Sequence, residues 1–290
     1  MNAKELSSPP KQHSITARPV KFNITNESPI YWMDNDAFKS HFWNAFFTTF
    51  PPGEIFFVRS ILNYRDQIED EKLQEEINNF AGQEGAHANA HQDHLDTLTH
   101  HGYTSLEREN RIIDVMLKYM TDKFPKVSLV NTLAMEHFTA LLAHQILADH
   151  ELFLDGADPN FIALFKWHAL EEIEHKAVAY DVYMAVDGRY WPRVVAMVLG
   201  TIALMLLVPV RMTPLLYKDG LLFKGKLWWN GLKFLFKPNE GLFVRPWKHY
   251  IQFYRRNFHP WDVDDHHLVE PIKSVYDAGK ILEIAHLDHA

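Results

Sequence analysis

Glu171-Glu172-Ile173-Glu174-His175 is the stretch on which the reading of this chain turns. Glu172 and His175 stand three apart, so a helix puts both on one face. An earlier stretch, Glu84-Gly85-Ala86-His87, repeats the spacing with Glu84 and His87. One such pair is weak evidence. With 18 Glu and 18 His in 290 residues, roughly one is expected by chance. The chain holds a third pair, Glu283 and His286, so the evidence must come from how the pieces fit together.

In an antiparallel helical hairpin, residues equidistant from the turn lie at one level. Glu136 and Glu172 are centred on residue 154, where Leu154-Asp155-Gly156-Ala157-Asp158-Pro159 carries a strong turn signal. Glu54 and Glu84 are centred on residue 69, inside the charged run Asp66 to Lys72, which has no Gly or Pro. Two hairpins thus bring Glu54, Glu84, His87, Glu136, Glu172 and His175 to one level. One Glu from each of two helices, plus a Glu-x-x-His pair from each of two others, is the inward-facing ligand set of di-iron and di-manganese carboxylate bundles. The expectation is an all-α, ferritin-like four-helix bundle with extra helices, holding two metal ions, iron first and manganese as the alternative. Glu283 and His286 have no partner at a shared level and read as a chance match.

The chain has no Cys, which excludes thiolate ligands, a Cys nucleophile and a disulfide framework. Met1 to Pro29 is polar, shows no secretory signal and reads as a flexible tail. Asp36 is an N-cap for a short aromatic helix, Ala37 to Phe50, and Pro51-Pro52-Gly53 is taken as an interruption. The bundle helices are expected at Glu54 to about Gln67, about Glu71 to His101, Ser128 to about Phe153, and about Asn160 to Val186. Gly102 is a natural terminator of the second, and a helix from Ser105 to about Lys123 fills the crossover between hairpins. His91 continues the polar stripe of Glu84 and His87 and is a candidate extra ligand. Gln83 and Glu171 each precede a candidate ligand and suit acceptors that orient the histidines. Glu174 reads as a solvated charge.

After the bundle, Val194 to Val210 is a run of 17 residues without a charge, between Arg193 and Arg211. Arg211 to Arg256 then carries ten Lys or Arg against two acids, a net +8 that leaves −16 for the rest. Lysines mixed with Trp and Phe suit an anionic membrane surface. The run is short for a span, and crossing would place the metal domain outside, so monotopic attachment is expected. A buried fifth helix is the alternative, no groove-reading motif points to nucleic acid, and Asp264-Asp265-His266-His267 reads as a solvated tail. The organisation is then a tail at 1–29, the bundle at 30–190, a membrane-facing appendage at 191–260 and a C-terminal tail at 261–290.

Phe50-Pro51-Pro52-Gly53-Glu54, Gln83-Glu84-Gly85-Ala86-His87-Ala88-Asn89, Met135-Glu136-His137 and Glu172-Ile173-Glu174-His175-Lys176 resemble a bacterial family labelled "predicted metal-dependent hydrolase". The resemblance covers about residues 20 to 260 and implies the ferritin-like superfamily. Function is weighed among three classes. An oxygen-activating di-iron enzyme oxidising a hydrophobic or lipid-like substrate, with an electron-transfer partner, is the leading expectation, because mixed Glu and His ligands suit Fe(II). A two-metal hydrolase comes second, although no His is followed by Asp and no His-Glu-x-x-His occurs. Iron storage or non-catalytic binding comes third. The expected setting is the cytoplasmic face of the inner membrane, with a homodimer as a compatible assembly.

Overall fold

Helix-start chemistry sets most of the element order. A computed structural model describes residues 13–149, 153–277, 280 and 283. Asp36 accepts from the Phe38 and Lys39 amides and opens α1 (Ala37–Phe47). Pro51-Pro52-Gly53 does not interrupt a helix but lies inside α2 (Phe50–Leu62). First-turn amides have no intrahelical acceptor, so prolines there sacrifice no bond. Glu54 is therefore past the first turn and buried, not a solvated helix-start residue.

The turn expected near residue 69 is a short 3-10 segment, Arg65–Gln67, followed by Asp70, which caps α3 (Glu71–His100). Gly102, at φ +87°, ends that helix in a conformation that favours glycine. α4 (Ser105–Lys123) makes the crossover. α5 (Pro125–Ala148) begins at its proline, three residues before the expected cap Ser128. Gly156, at φ +71°, Asp158 as cap and Pro159 in the first turn lead into α6 (Pro159–His175).

The fourth bundle helix was expected to run to Val186. It breaks at Lys176-Ala177, and α7 (Val178–Val186) resumes beyond. No Gly or Pro marks this break. Lys176 there turns its buried ammonium to the Val263 carbonyl at 2.8 Å and to Asp265 at 2.7 Å. The chain continues through α8 (Tyr190–Lys218), α9 (Gly225–Phe236), α10 (Trp247–Gln252) and α11 (His266–Asp277). The described residues form no strand, only an isolated bridge between Met33 and Ala157.

α2 packs on α3 and α5, and α6 packs on α5 and α3, so these four helices close a ring around one interior. α4 lies along α2, and α8 lies against α1 and α5. Aromatic rings fill one end, with Trp32 stacked on Phe161 at 4.4 Å and Phe47 on Phe165 at 4.2 Å between centroids.

Two expectations about the appendages need correction. From residue 13, the N-terminal segment is packed and not a free tail: Ile15, Arg18, Phe22 and Ile24 are buried. Asp265 is likewise buried, between Lys176 and His144, so the C-terminal acidic run is not a solvated tail. Arg193 and Arg211, which bracket the apolar run, both turn inward. Arg193 donates to Tyr180 Oη and the Arg255 carbonyl, and Arg211 donates to the Ala45 carbonyl and Thr48 Oγ1. α8 is thereby held along the body of the protein. Met1 to residue 12 and His286 lie outside the described residues.

Candidate metal centre

The ring of four helices delivers acidic and imidazole side chains into its interior. Glu54 comes from α2, Glu84 and His87 from α3, Glu136 from α5, and Glu172 and His175 from α6, and all six are buried. His175 Nε2 lies 3.0 Å from Glu84, 3.3 Å from Glu136 and 3.5 Å from Glu172. His87 Nδ1 lies 3.8 Å from Glu84 and 3.9 Å from Glu172. The donor atoms form four overlapping groups: Glu84, Glu172 and His175; Glu54, Glu84 and His87; His87, His168 and Glu172; and Glu54, His91 and His168.

Both carboxylate oxygens of Glu54, Glu84 and Glu136 lack a hydrogen-bond partner, as do His87 Nδ1 and His175 Nε2. Buried polar atoms are rarely left so. Donor atoms about 2.1 Å from a shared ion lie roughly 3.0–3.4 Å from one another, which is the spacing around His175. The donor set therefore fits metal ions.

Electrostatics point the same way. Burial, then the charge on Glu84, raises the Glu54 carboxyl well above its ordinary range. Burial and Glu136 do the same to Glu84, and burial pushes Glu136 up to about 7. Burial favours a neutral His175, but Glu172, Glu136 and Glu84 outweigh it and carry the imidazole well above its usual value. Burial also pushes Glu172 up, yet His175 and His168 overcome this and hold it low. Four carboxylates in one dry site cannot all ionise without added positive charge. Two divalent cations would balance them.

The outer nitrogen of each candidate histidine is held from the opposite helix. Gln83 on α3 lies 2.9 Å from His175 Nδ1, and Glu171 on α6 lies 3.0 Å from His87 Nε2. Glu174 is the clearest departure from the sequence reading. It is buried, accepts from both terminal nitrogens of Arg18 at 2.6 and 2.8 Å, and accepts from Gln83 at 2.9 Å. Arg18 also approaches Glu171 at 3.5 Å, so one guanidinium serves both supporting groups.

His91 Nε2 lies 2.7 Å from His168 Nδ1, and His91, His168 and Glu54 form a further group with donor atoms close enough to share an ion. His168 was not singled out in the sequence. It stacks on His87 at 4.0 Å between centroids and reaches Glu172 at 2.7 Å. Its signal was available, since it stands four residues before Glu172 and seven before His175, on the same helical face. Arg18 carried no comparable local signal.

Residues 16–264 match the family described as "Predicted metal-dependent hydrolase". The chain belongs to that family. No curated protein and no solved structure matches the chain. The shared description agrees with a buried Glu and His cluster suited to metal ions.

Proposed function

We propose that this member of the family is a two-metal hydrolase acting on a hydrophobic substrate with a polar, cleavable head, such as a long-chain ester. One observation carries the reading. Glu54 and Glu172 form part of the wall of a cavity of about 260 Å³ whose other walls are mainly Phe, Leu and Met. The chemical cluster thus meets a space built for an apolar chain.

Glu54, Glu84, His87, Glu136, Glu172 and His175 would hold the ions in a ferritin-like bundle. Divalent ions bound there supply an acidified water and positive charge for a leaving oxygen. Thr139 donates to Glu172 at the cavity wall and fixes that carboxylate. Gln83 and Glu171 fix the two imidazoles. The phenyl and alkyl walls exclude bulk water from the substrate's tail.

A second reading, O2-dependent oxidation at an iron or manganese pair with an electron-transfer partner, is favoured by the same walls. They carry no titratable side chain beyond Glu54 and Glu172, which suits attack on an unactivated chain as well as ester cleavage. In either case the protein would work at the cytoplasmic surface of a membrane, attached through the apolar and basic segment 191–260.

The two readings separate in one experiment. The ion-free protein is loaded with Zn(II), Mn(II) or Fe(II) and given a medium-chain ester with and without O2. Anaerobic cleavage with Zn(II) or Mn(II), abolished in Glu84→Gln, is the expected result. O2 uptake matched to substrate oxidation, with Fe(II) alone and no cleavage, would select oxidation.

A further inference from the structure

Solvent-exposed apolar side chains are concentrated beside the cavity. On α4, Ile112, Val115, Met116 and Tyr119 are between 56% and 68% exposed. On α8, Val195, Leu199, Ile202, Leu206 and Val210 are between 50% and 65% exposed. At about 100° per residue each set forms a single stripe along its helix. Contiguous apolar surface of this kind is unusual on a protein that meets only water.

The two helices run antiparallel. Glu109 and Arg211 pair at 3.2 Å, and equal steps away from that pair set Ile113 beside Leu207, Leu117 beside Ala203 and Met120 beside Gly200. All six of those residues line the cavity that ends at Glu54 and Glu172. The cavity therefore occupies the seam between α4 and α8, and the exposed stripes flank its outer edge.

The far side of α8 meets a basic and aromatic border. Phe236 of α9 and Trp247 of α10 share a neighbouring hollow with Thr201 and Met205 of α8. α9 turns Gly231 onto Phe38 and exposes Lys226 and Lys233 along one edge, continued by Lys237 just past its end, with Trp229, Leu232 and Phe236 along the other. Apolar stripes bordered by lysine and tryptophan match the layering of a bilayer whose headgroups are anionic. Residues 211–256 carry +8 in a chain that is otherwise −16; Arg211 is buried against Glu109, and the exposed lysines along α9 give this face its complementary charge.

We propose that this face docks on an anionic phospholipid bilayer, and that the α4–α8 seam is the doorway through which an acyl or alkyl chain passes from the bilayer to the Glu and His cluster. The use made of the chain rests on the function proposed above; the docking and the doorway do not. A route that stays apolar spares each methylene an exposure to water that would disfavour transfer roughly fourfold.

The absence of native cysteine allows clean labelling. Val115→Cys on α4, Ile202→Cys on α8 and the exposed control Glu75→Cys on α3 each receive a polarity-sensitive fluorophore. With vesicles of phosphatidylcholine and phosphatidylglycerol carrying acyl-chain spin labels, the first two should shift to the blue and be quenched, and the third should not. Joint replacement K226E/K233E/K237E should weaken vesicle binding roughly tenfold or more. Labels that stay wet on vesicle-bound protein would overturn the docking. So would labels already dry without lipid in a protein that sediments as a dimer, because the face would then join two copies.

The doorway is tested with cis-parinaric acid, a fluorescent fatty acid. Leu117→Trp and Ala203→Trp, alone and together, should lower its affinity roughly tenfold by filling the seam, with vesicle binding, melting temperature and metal content unchanged. Undiminished binding in the double variant would overturn it. None of these readouts needs turnover. Failure to cleave any ester would sink the hydrolase reading and leave the doorway standing, and cleavage with wet labels would do the reverse.

Discussion

Glu84 Oε1 and His175 Nε2 lie 3.0 Å apart across α3 and α6, yet no hydrogen bond joins them. Buried polar atoms this close, each left without a hydrogen bond, suit ligands of a shared ion. Elemental analysis of the purified protein should find two divalent ions per chain. Glu84→Ala should cost at least one and lower the affinity for the other, because Glu84 belongs to two of the overlapping donor groups. His175→Ala and Glu54→Ala should each remove the ion nearer to them, and His286→Ala should leave the content unchanged. Full metal content in Glu84→Ala would exclude the assignment.

The pH dependence of stability in the ion-free protein has a definite sign above about pH 6.5. There the unfolded chain has released its carboxyl protons, with ordinary values near 4.5, and most of its imidazole protons. The folded chain still holds protons on Glu54, Glu84, Glu136 and His175, whose values are all raised. It therefore binds more protons than the unfolded chain, and stability falls as pH rises. His87, held low by burial and then by His168, works in the opposite direction only below 6.5. Between pH 6.5 and 8 the melting temperature should drop without metal and flatten with it. A rise over that range without metal would contradict the charge arrangement.

Arg18 draws the N-terminal segment into the centre by pairing with Glu174 and approaching Glu171. Losing it removes the guanidinium shared by two buried carboxylates, leaves Glu174 with Lys273 at 3.7 Å, and frees the groups that orient His87 and His175. Arg18→Ala should lower metal affinity about 10- to 100-fold, the usual scale for supporting groups around a metal. Arg18→Lys should restore only part, since one ammonium cannot donate as a fork to Glu174. Calorimetric titration with Zn(II) distinguishes this from a loss of folding.

The sequence made the helical class legible because the ring helices carry caps, prolines and glycines where helices begin and end. Asp70, Asp158 and Gly102 act in this way, and Asp36 does the same for α1. The convergence of Glu54, Glu84, Glu136 and Glu172 followed from counting residues about two turns. What escaped was set by long-range contacts. The break after His175 has no local signal, because Lys176 answers to Asp265, 89 residues away. Glu174 read as solvated because its partner Arg18 is 156 residues distant. His168 was missed for another reason: a search for pairs three apart passes over a partner four apart.

His168 yields the last prediction. Its Nε2 lies 2.7 Å from Glu172 and its Nδ1 lies 2.7 Å from His91 Nε2, so both ring nitrogens are occupied by hydrogen bonds. Ionised Glu172 can only accept, which assigns the proton to His168 Nε2 and makes Nδ1 the acceptor for the proton on His91 Nε2. His168 is thus a positioning residue for Glu172, despite lying among atoms close enough to form a metal site. Phe50 and Phe47 shield this relay, with Phe50 edge-on to His168 and Phe47 stacked on His91. His168→Gln, which keeps a donor toward Glu172, should retain two ions and bind them about tenfold more weakly. His168→Phe, which leaves Glu172 without that donor, should weaken binding further, toward about 100-fold. His91→Phe should have a smaller effect than either, because it acts on Glu172 only through His168. Loss of one whole ion in His168→Gln would instead make His168 a ligand, with the relay assignment withdrawn.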